Sequence, residues 1–243
     1  MKKKIIILGL TIVLGLTMSL YLKSHTKETT FQEQYDQKDM FHFSDVYYAF
    51  SDVHPRSTYH DDYINIHSVE DLFAQSDFIG EVQMNSRQQK YNIIETDVTV
   101  LKCYKGKKIK EMTIYEPAYT GPMYDSINIS GSMPLMKENQ RYLVFLIEAM
   151  PKDHYFNFIN TCLGCYPIKE NIISKKYVSG DDSLVSLSKE EVEQIDFLDI
   201  DYTFDYENFA DETLKQAILN YNKQKAQYKS FKETIFKKLD IKV

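Results

Sequence analysis

Glycine is scarce in this chain. Eight glycines serve 243 residues, and Gly9 and Gly15 lie in the first 22, so six remain for everything after. No G-x-G-x-x-G and no G-x-x-x-x-G-K-[ST] loop is left to cradle phosphates, which excludes both common nucleotide-binding designs as well as collagen-like and Gly-rich architectures. Positive charge is also in deficit, with 29 Lys plus Arg against 35 Asp plus Glu and a net charge of -6. A chain that neutralises a phosphate backbone needs the opposite balance, so no nucleic-acid partner is expected. Catalytic signatures are missing too. There is no H-E-x-x-H and no G-x-S-x-G, and Ser130-Gly131-Ser132 reads as a loop. A calcium loop starting at Asp199 would need Gly at its sixth position and Glu at its twelfth, where Phe204 and Ala210 stand. The acids Asp196, Asp199, Asp201, Asp205 and Glu207 therefore read as a solvated face, and no cofactor is expected. What remains is a chain of 28.6 kDa with 43% hydrophobic and 26% charged residues, enough for one domain of ordinary size with appendages.

The first 22 residues are the most informative. Lys2, Lys3 and Lys4 precede an apolar run from Ile5 to Leu22, broken by Gly9, Thr11, Gly15, Thr17 and Ser19 and closed by Lys23. As a helix the run spans about 27 Å, close to the hydrocarbon thickness of a bilayer. The lysines keep the N-terminus in the cytoplasm, so the pattern predicts a single-pass membrane anchor over 1–22 with the C-terminal part outside. The alternative is secretion after cleavage near Thr17 and Ser19. No cysteine follows the run, which excludes a lipoprotein anchor. Residues 23–40 are polar and read as a tether, and the aromatic-rich lead-in at 41–67 is expected to pack on the domain without an identifiable period.

Three cysteines face an oxidising space on this reading. Cys103 falls in an expected strand, and Cys162 and Cys165 form a lone Cys-x-x-Cys crowded by Gly164 and Pro167. No long amphipathic helix follows, as a thioredoxin-like motif requires, so the favoured expectation is a structural disulfide between Cys103 and one of the pair. Zinc held by the three with a histidine is a further alternative. His54, His60 and His67, with Asp61 and Asp62 beside His60, have the composition of metal ligands but no fixed spacing.

From residue 68 the pattern sharpens. Ser68 with Asp71 three residues on predicts a capped short helix with Val69, Leu72 and Phe73 on one side. A strand is expected over Asp77–Val82, where Gly80 permits a bulge or close backbone approach. Alternation predicts a half-buried strand from Ile94 to Cys103, with Ile94, Thr96, Val98 and Val100 on one face, and a third strand with Met112 and Ile114. Pro117, Gly121 and Pro122 predict one long loop to about Ser132. Tyr142–Ile147 is apolar on both faces and reads as a central strand, and shorter strands are expected around 155–159, 166–168 and 176–178. Five or more short strands over 68–187 suit a small antiparallel β-barrel, since closure removes exposed edges.

The series Asp77-Phe78-Ile79-Gly80-Glu81-Val82, then Val100 to Gly106, then Met112 to Pro117, then Tyr142 to Leu146, then Gly164 to Ile168 resembles uncharacterised secreted or membrane-anchored proteins of Gram-positive bacteria. Those carry a small OB-like barrel similar to netrin and metalloproteinase-inhibitor domains. The resemblance covers about 68–178 and implies fold. It does not imply protease inhibition, because the N-terminal cysteine that engages a catalytic zinc has no counterpart before Cys103.

The region after 188 is expected to be helical, giving an α+β chain overall. Residues 189 to 212 hold ten acids against Lys189 alone, a balance of -9, and residues 213 to 243 hold eight lysines against Glu233 and Asp240, a balance of +6. Ser188 and Glu191 form a capping box. Leu214, Ala217, Ile218, Tyr221, Tyr228, Phe231, Ile235 and Leu239 stripe a longer helix that either packs on the barrel or offers its lysines to lipid headgroups, wall polymers or a partner helix. The chain thus reads as a membrane-tethered extracytoplasmic binding module of the cell envelope. It would offer the loop aromatics Tyr115, Tyr119 and Tyr124 to an envelope protein, a peptide or a wall polymer. The alternative is a metal- or thiol-dependent cell-envelope enzyme using His54, His60, Asp61 and His67, or Cys162 and Cys165.

Overall fold

The computed structural model describes residues 35, 38–44, 66–90, 93–120, 126–130, 132–150, 154–169, 172–178, 184–203 and 212–242. The apolar run from Ile5 to Leu22 lies outside them, and among the described residues no helix is long and apolar enough to cross a membrane. They form a mixed α+β fold, mostly sheet, with a long C-terminal helix. In chain order the elements are β1 (Met40–Ser44), α1 (Val69–Gln75), β2 (Phe78–Lys90), β3 (Ile93–Lys105), β4 (Glu111–Glu116), β5 (Ala118–Thr120), β6 (Ser126–Ser130) and β7 (Arg141–Met150). There follow β8 (Tyr155–Phe158), β9 (Cys165–Pro167), β10 (Ile172–Val178), β11 (Leu184–Ser188), α2 (Lys189–Glu193), β12 (Phe197–Thr203) and α3 (Glu212–Leu239).

Local chemistry starts the elements where the sequence places them. Ser68 Oγ accepts from the Asp71 amide at 3.1 Å and opens α1, whose Val69 and Leu72 are buried. The last turn of α1 has no basic residue of its own. Lys105 supplies one from the end of β3, donating to the carbonyls of Phe73 at 2.7 Å and Ala74 at 3.0 Å, where a cation complements the helix dipole. The capping box at α2 forms in full between Ser188 and Glu191.

The largest sheet runs β2-β3-β4-β8-β7-β9, and β2 also pairs with β7. β7 therefore has three partners, and Tyr142 to Leu146 are all buried, as the doubly apolar pattern predicts. Inward side chains of β2, β3 and β4, among them Phe78, Ile79, Val82, Ile94, Val98, Met112 and Ile114, meet those of β7 in the core. Gly80 sits at a register shift between β2 and β3, and a Cβ there would lie 2.7 Å from the Lys102 carbonyl, so the expected close approach is real. A second sheet has the order β11-β1-β6-β5, and β10 pairs with β12.

Four expectations need correction. The segment expected to be one loop from 117 to 132 contains β5 and β6, and the lead-in at 41–67 begins with β1, which pairs with β6 and β11. The region expected to be only helical after 188 contains β12. The strands are not all antiparallel either, because β4–β8, β1–β6 and β10–β12 are parallel. Apart from β5, whose partner β6 follows it closely, each miss concerns a pairing partner far away in sequence, which hydrophobic periodicity within a strand does not encode.

Gly106 turns β3 into the next segment at φ 97°, and a Cβ on it would stand 2.6 Å from the Asp77 carbonyl. Gly106→Ala is expected to cost about 1–3 kcal/mol, because an L side chain is strained at this φ and the facing atom is backbone. A lowered urea midpoint at unchanged slope would show it, and an unshifted midpoint would mean that the turn relaxes freely.

Candidate functional site

Alternation on β4 buries Met112, Ile114 and Glu116 and turns Thr113 and Tyr115 outward. On β3 the residues in register with that row are the half-buried Asp97 and Thr99, opposite Thr113 and Glu111, and Glu95, opposite Tyr115 but itself buried. The parallel strand β8 adds Tyr155 and Asn157, half-buried on either side of the buried Phe156. The rings of Tyr115 and Tyr155 stack across β4 and β8, with centroids 5.3 Å apart and planes 20° from parallel.

The polar groups around this pair are fixed by one another. Asp97 accepts from Thr113 Oγ1 at 2.7 Å and from Ser86 Oγ at 3.0 Å. Glu95 accepts from Gln88 Nε2 at 3.0 Å, with the Lys90 ammonium 3.9 Å away. Thr99 Oγ1 donates to Asn85 Oδ1 at 3.0 Å. An aromatic surface bordered by positioned hydrogen-bonding groups suits recognition, since ring faces bury area at small entropic cost and the polar groups give direction.

Beneath this face, Arg87 and Glu116 form an ion pair whose side chains are 6% and 3% exposed. Glu116 Oε1 accepts from Arg87 Nε at 2.9 Å and Nη2 at 2.7 Å and from Thr96 Oγ1, while Oε2 accepts from the Met136 amide at 2.7 Å. Arg87 Nη2 also donates to the Met136 carbonyl, so the pair pins the segment before β7 to β3 and β4. A cavity of about 10 Å³ beside Glu116, Met133, Leu135 and Cys165 admits no more than a single water. Another buried carboxylate, Glu81, accepts from Tyr104 Oη at 2.6 Å and from Arg141. Burial pushes the Glu81 carboxyl up, but the Tyr104 hydroxyl and the Arg141 guanidinium outweigh it and hold it below the ordinary range.

Of the residues expected to bind, Tyr115 lies on the described face, though in a strand rather than a loop. Tyr119 is in β5, and Tyr124 lies outside the described residues, as do His54, His60 and Asp61. His67 is exposed, and its amide donates to Asp71 at 3.1 Å. Among the described residues no group of three His, Cys, Asp or Glu is placed to hold a metal.

The cysteines are all free thiols, so the expected bridge from Cys103 is absent. Cys103 stands opposite Gly80, Gly80 opposite Val144 and Val144 opposite Cys165. Three strand spacings of about 4.8 Å part the two, beyond the roughly 7 Å that a disulfide spans between Cα atoms. Asn160 shapes the Cys-x-x-Cys turn, its side chain accepting from the amides of Cys162 at 2.8 Å and Leu163 at 2.9 Å. Burial pushes the Cys165 thiol well up, which makes it a poor nucleophile.

Two groupings escaped the sequence reading. Tyr155 is recognisable as outward from the alternation of Tyr155-Phe156-Asn157-Phe158, but its pairing with β4 is not. His42 Nδ1 and Ser186 Oγ lie 2.7 Å apart across β1 and β11. Among the described residues no carboxylate holds the other ring nitrogen, so the pair lacks the orienting third group that a nucleophile and base require. Compared with known proteins, the chain matches no family model and no curated relative.

Proposed function

We propose that the chain is a membrane-tethered binding module of a bacterial cell envelope, anchored by residues 5–22, with its β-rich part outside. The observation that carries the binding role is the half-exposed Tyr115–Tyr155 stack on the outward face of β3, β4 and β8. The cycle of pairings from β2 through β3, β4, β8 and β7 back to β2 supports a small closed barrel of five strands. Its third and fifth members in sequence, β4 and β8, are parallel, which agrees with an OB-like barrel. Such barrels bind through the face of their second and third strands, here β3 and β4, the same face that carries Tyr115.

A photo-crosslinking residue at Glu111, on this face, tests the reading in cells that display the chain, with the same residue at exposed Lys169 as reference. Irradiation is expected to give discrete adducts from position 111 and not from 169. Tyr115→Ala with Tyr155→Ala should lower their yield about fivefold or more, as loss of an aromatic anchor worth at least about 1 kcal/mol does. Equal adducts from both positions, or adducts indifferent to the tyrosines, would remove the face from consideration. Degradation of residues 40–243 by protease added to intact cells checks the orientation separately.

A further inference from the structure

We propose that one lysine-rich end of the domain docks on anionic phospholipid headgroups of the membrane that anchors the chain, an inference that rests on the tethered reading above. Residues 102–110 hold Lys102, Lys105, Lys107, Lys108 and Lys110 and no carboxylate, and residues 237–242 hold Lys237, Lys238 and Lys242 against Asp240. These two short segments carry +7 in a chain of -6, so all the rest sums to -13.

The fold brings the segments together on α1. Lys105 donates to the carbonyls of Phe73 and Ala74, while the Lys238 ammonium lies 4.5 Å over the Phe73 ring and 3.5 Å from Glu70. All eight lysines are exposed. Among the described residues no carboxylate lies within ion-pair distance of Lys107, Lys108, Lys110, Lys237 or Lys242. Beside them Leu101, 46% exposed, is next in sequence to Val100, whose amide donates to the Lys110 carbonyl at 2.8 Å. An exposed apolar side chain near lysines that no carboxylate neutralises is what an anionic lipid surface receives, the lysines meeting phosphate and the apolar group entering the boundary.

The tether favours this source of phosphate over any other. Residues 23–39 are a mostly polar stretch of seventeen residues, which even fully extended reaches no more than about 60 Å, so the headgroups are a permanent neighbour.

The test uses the full chain in nanodiscs of phosphatidylcholine alone or with 30% phosphatidylglycerol, treated with limiting acetylating reagent and read by peptide mass spectrometry. Acetylation of Lys107, Lys108 and Lys242 is expected to slow about fivefold or more in the anionic discs, with Lys90 unchanged, and to recover in high salt. A variant with Lys107→Glu, Lys108→Glu and Lys242→Glu should lose protection at the neighbouring Lys110 and Lys237 while Lys90 labels as before, which shows that it is folded. Equal rates in both discs would overturn the proposal. So would equal protection by soluble polyglycerol phosphate in neutral discs, which would assign the surface to a free polymer. The intact mass of the chain recovered from cells tests the anchor itself: loss of residues 1–22 would refute the tethered reading and leave the disc result standing.

Discussion

Arg87→Met is expected to cost about 3–5 kcal/mol of stability, a large part of the roughly 5–15 kcal/mol that holds a domain folded. The reason is geometric. Glu116 is almost fully buried and spends both carboxylate oxygens on Arg87, Thr96 and the Met136 amide. Removing the guanidinium leaves a carboxylate without its counter-charge where water hardly reaches, and leaves the Met136 carbonyl without its donor. Adding Glu116→Gln removes the stranded charge while keeping an acceptor for the Met136 amide, so the double variant should regain at least about 1 kcal/mol over Arg87→Met alone. Urea unfolding of the four proteins in the cycle measures this. A loss under about 1 kcal/mol for Arg87→Met, or no recovery in the double variant, would show that the pair does not hold this layer together. Because Glu116 follows Tyr115 directly, the same change is expected to loosen the tyrosine face from below.

How much of this was legible in the sequence follows from the range of each signal. Caps act over three residues, and both read from spacing, Ser68 with Asp71 and Ser188 with Glu191, form as expected. Alternation acts within a strand, so β2, β3, β4 and β7 were readable, and Gly80 was placed at its bulge. Parallel pairing is a property of two distant segments. β8 was foreseeable as a strand, yet nothing local places Tyr155 against Tyr115 across a crossover of about forty residues. The short strands β5 and β6 were hidden instead by the breakers Pro117, Gly121 and Pro122. Their strand character comes from pairing with each other and with β1 rather than from their own pattern. The charge split was visible as composition, but only the fold unites the 102–110 turn with the end of α3, because both meet α1.

That meeting makes the docking of α3 decisive, and Tyr228 is its centre. The ring is fully buried and stacks on Phe197 at 3.9 Å and on Tyr166 at 5.0 Å, joining α3 to β12 and β9. Phe231, Ile235 and Phe236 bury the same side, and Lys232 Nζ donates to the Pro167 carbonyl at 2.6 Å. Tyr228→Ala is expected to cost about 3–5 kcal/mol, the usual range for emptying an aromatic core site. Tyr228→Leu keeps most of the buried volume and loses the stacking geometry, so it should cost markedly less, nearer 1–2 kcal/mol. The loss is expected to fall first on α3. Hydrogen exchange should show its amides opening in Tyr228→Ala while those of β2, β3 and β7 stay protected, since those strands are cross-paired independently of it. Once α3 leaves, Lys237, Lys238 and Lys242 separate from the 102–110 turn. Selective lipid protection of Lys107 and Lys108 should then fall toward the neutral-disc rate, even though both lysines remain in place. If α3 instead kept its exchange protection in Tyr228→Ala, the aromatic stack would not be its anchor, and the burial of Phe231 and Ile235 would have to hold the helix alone.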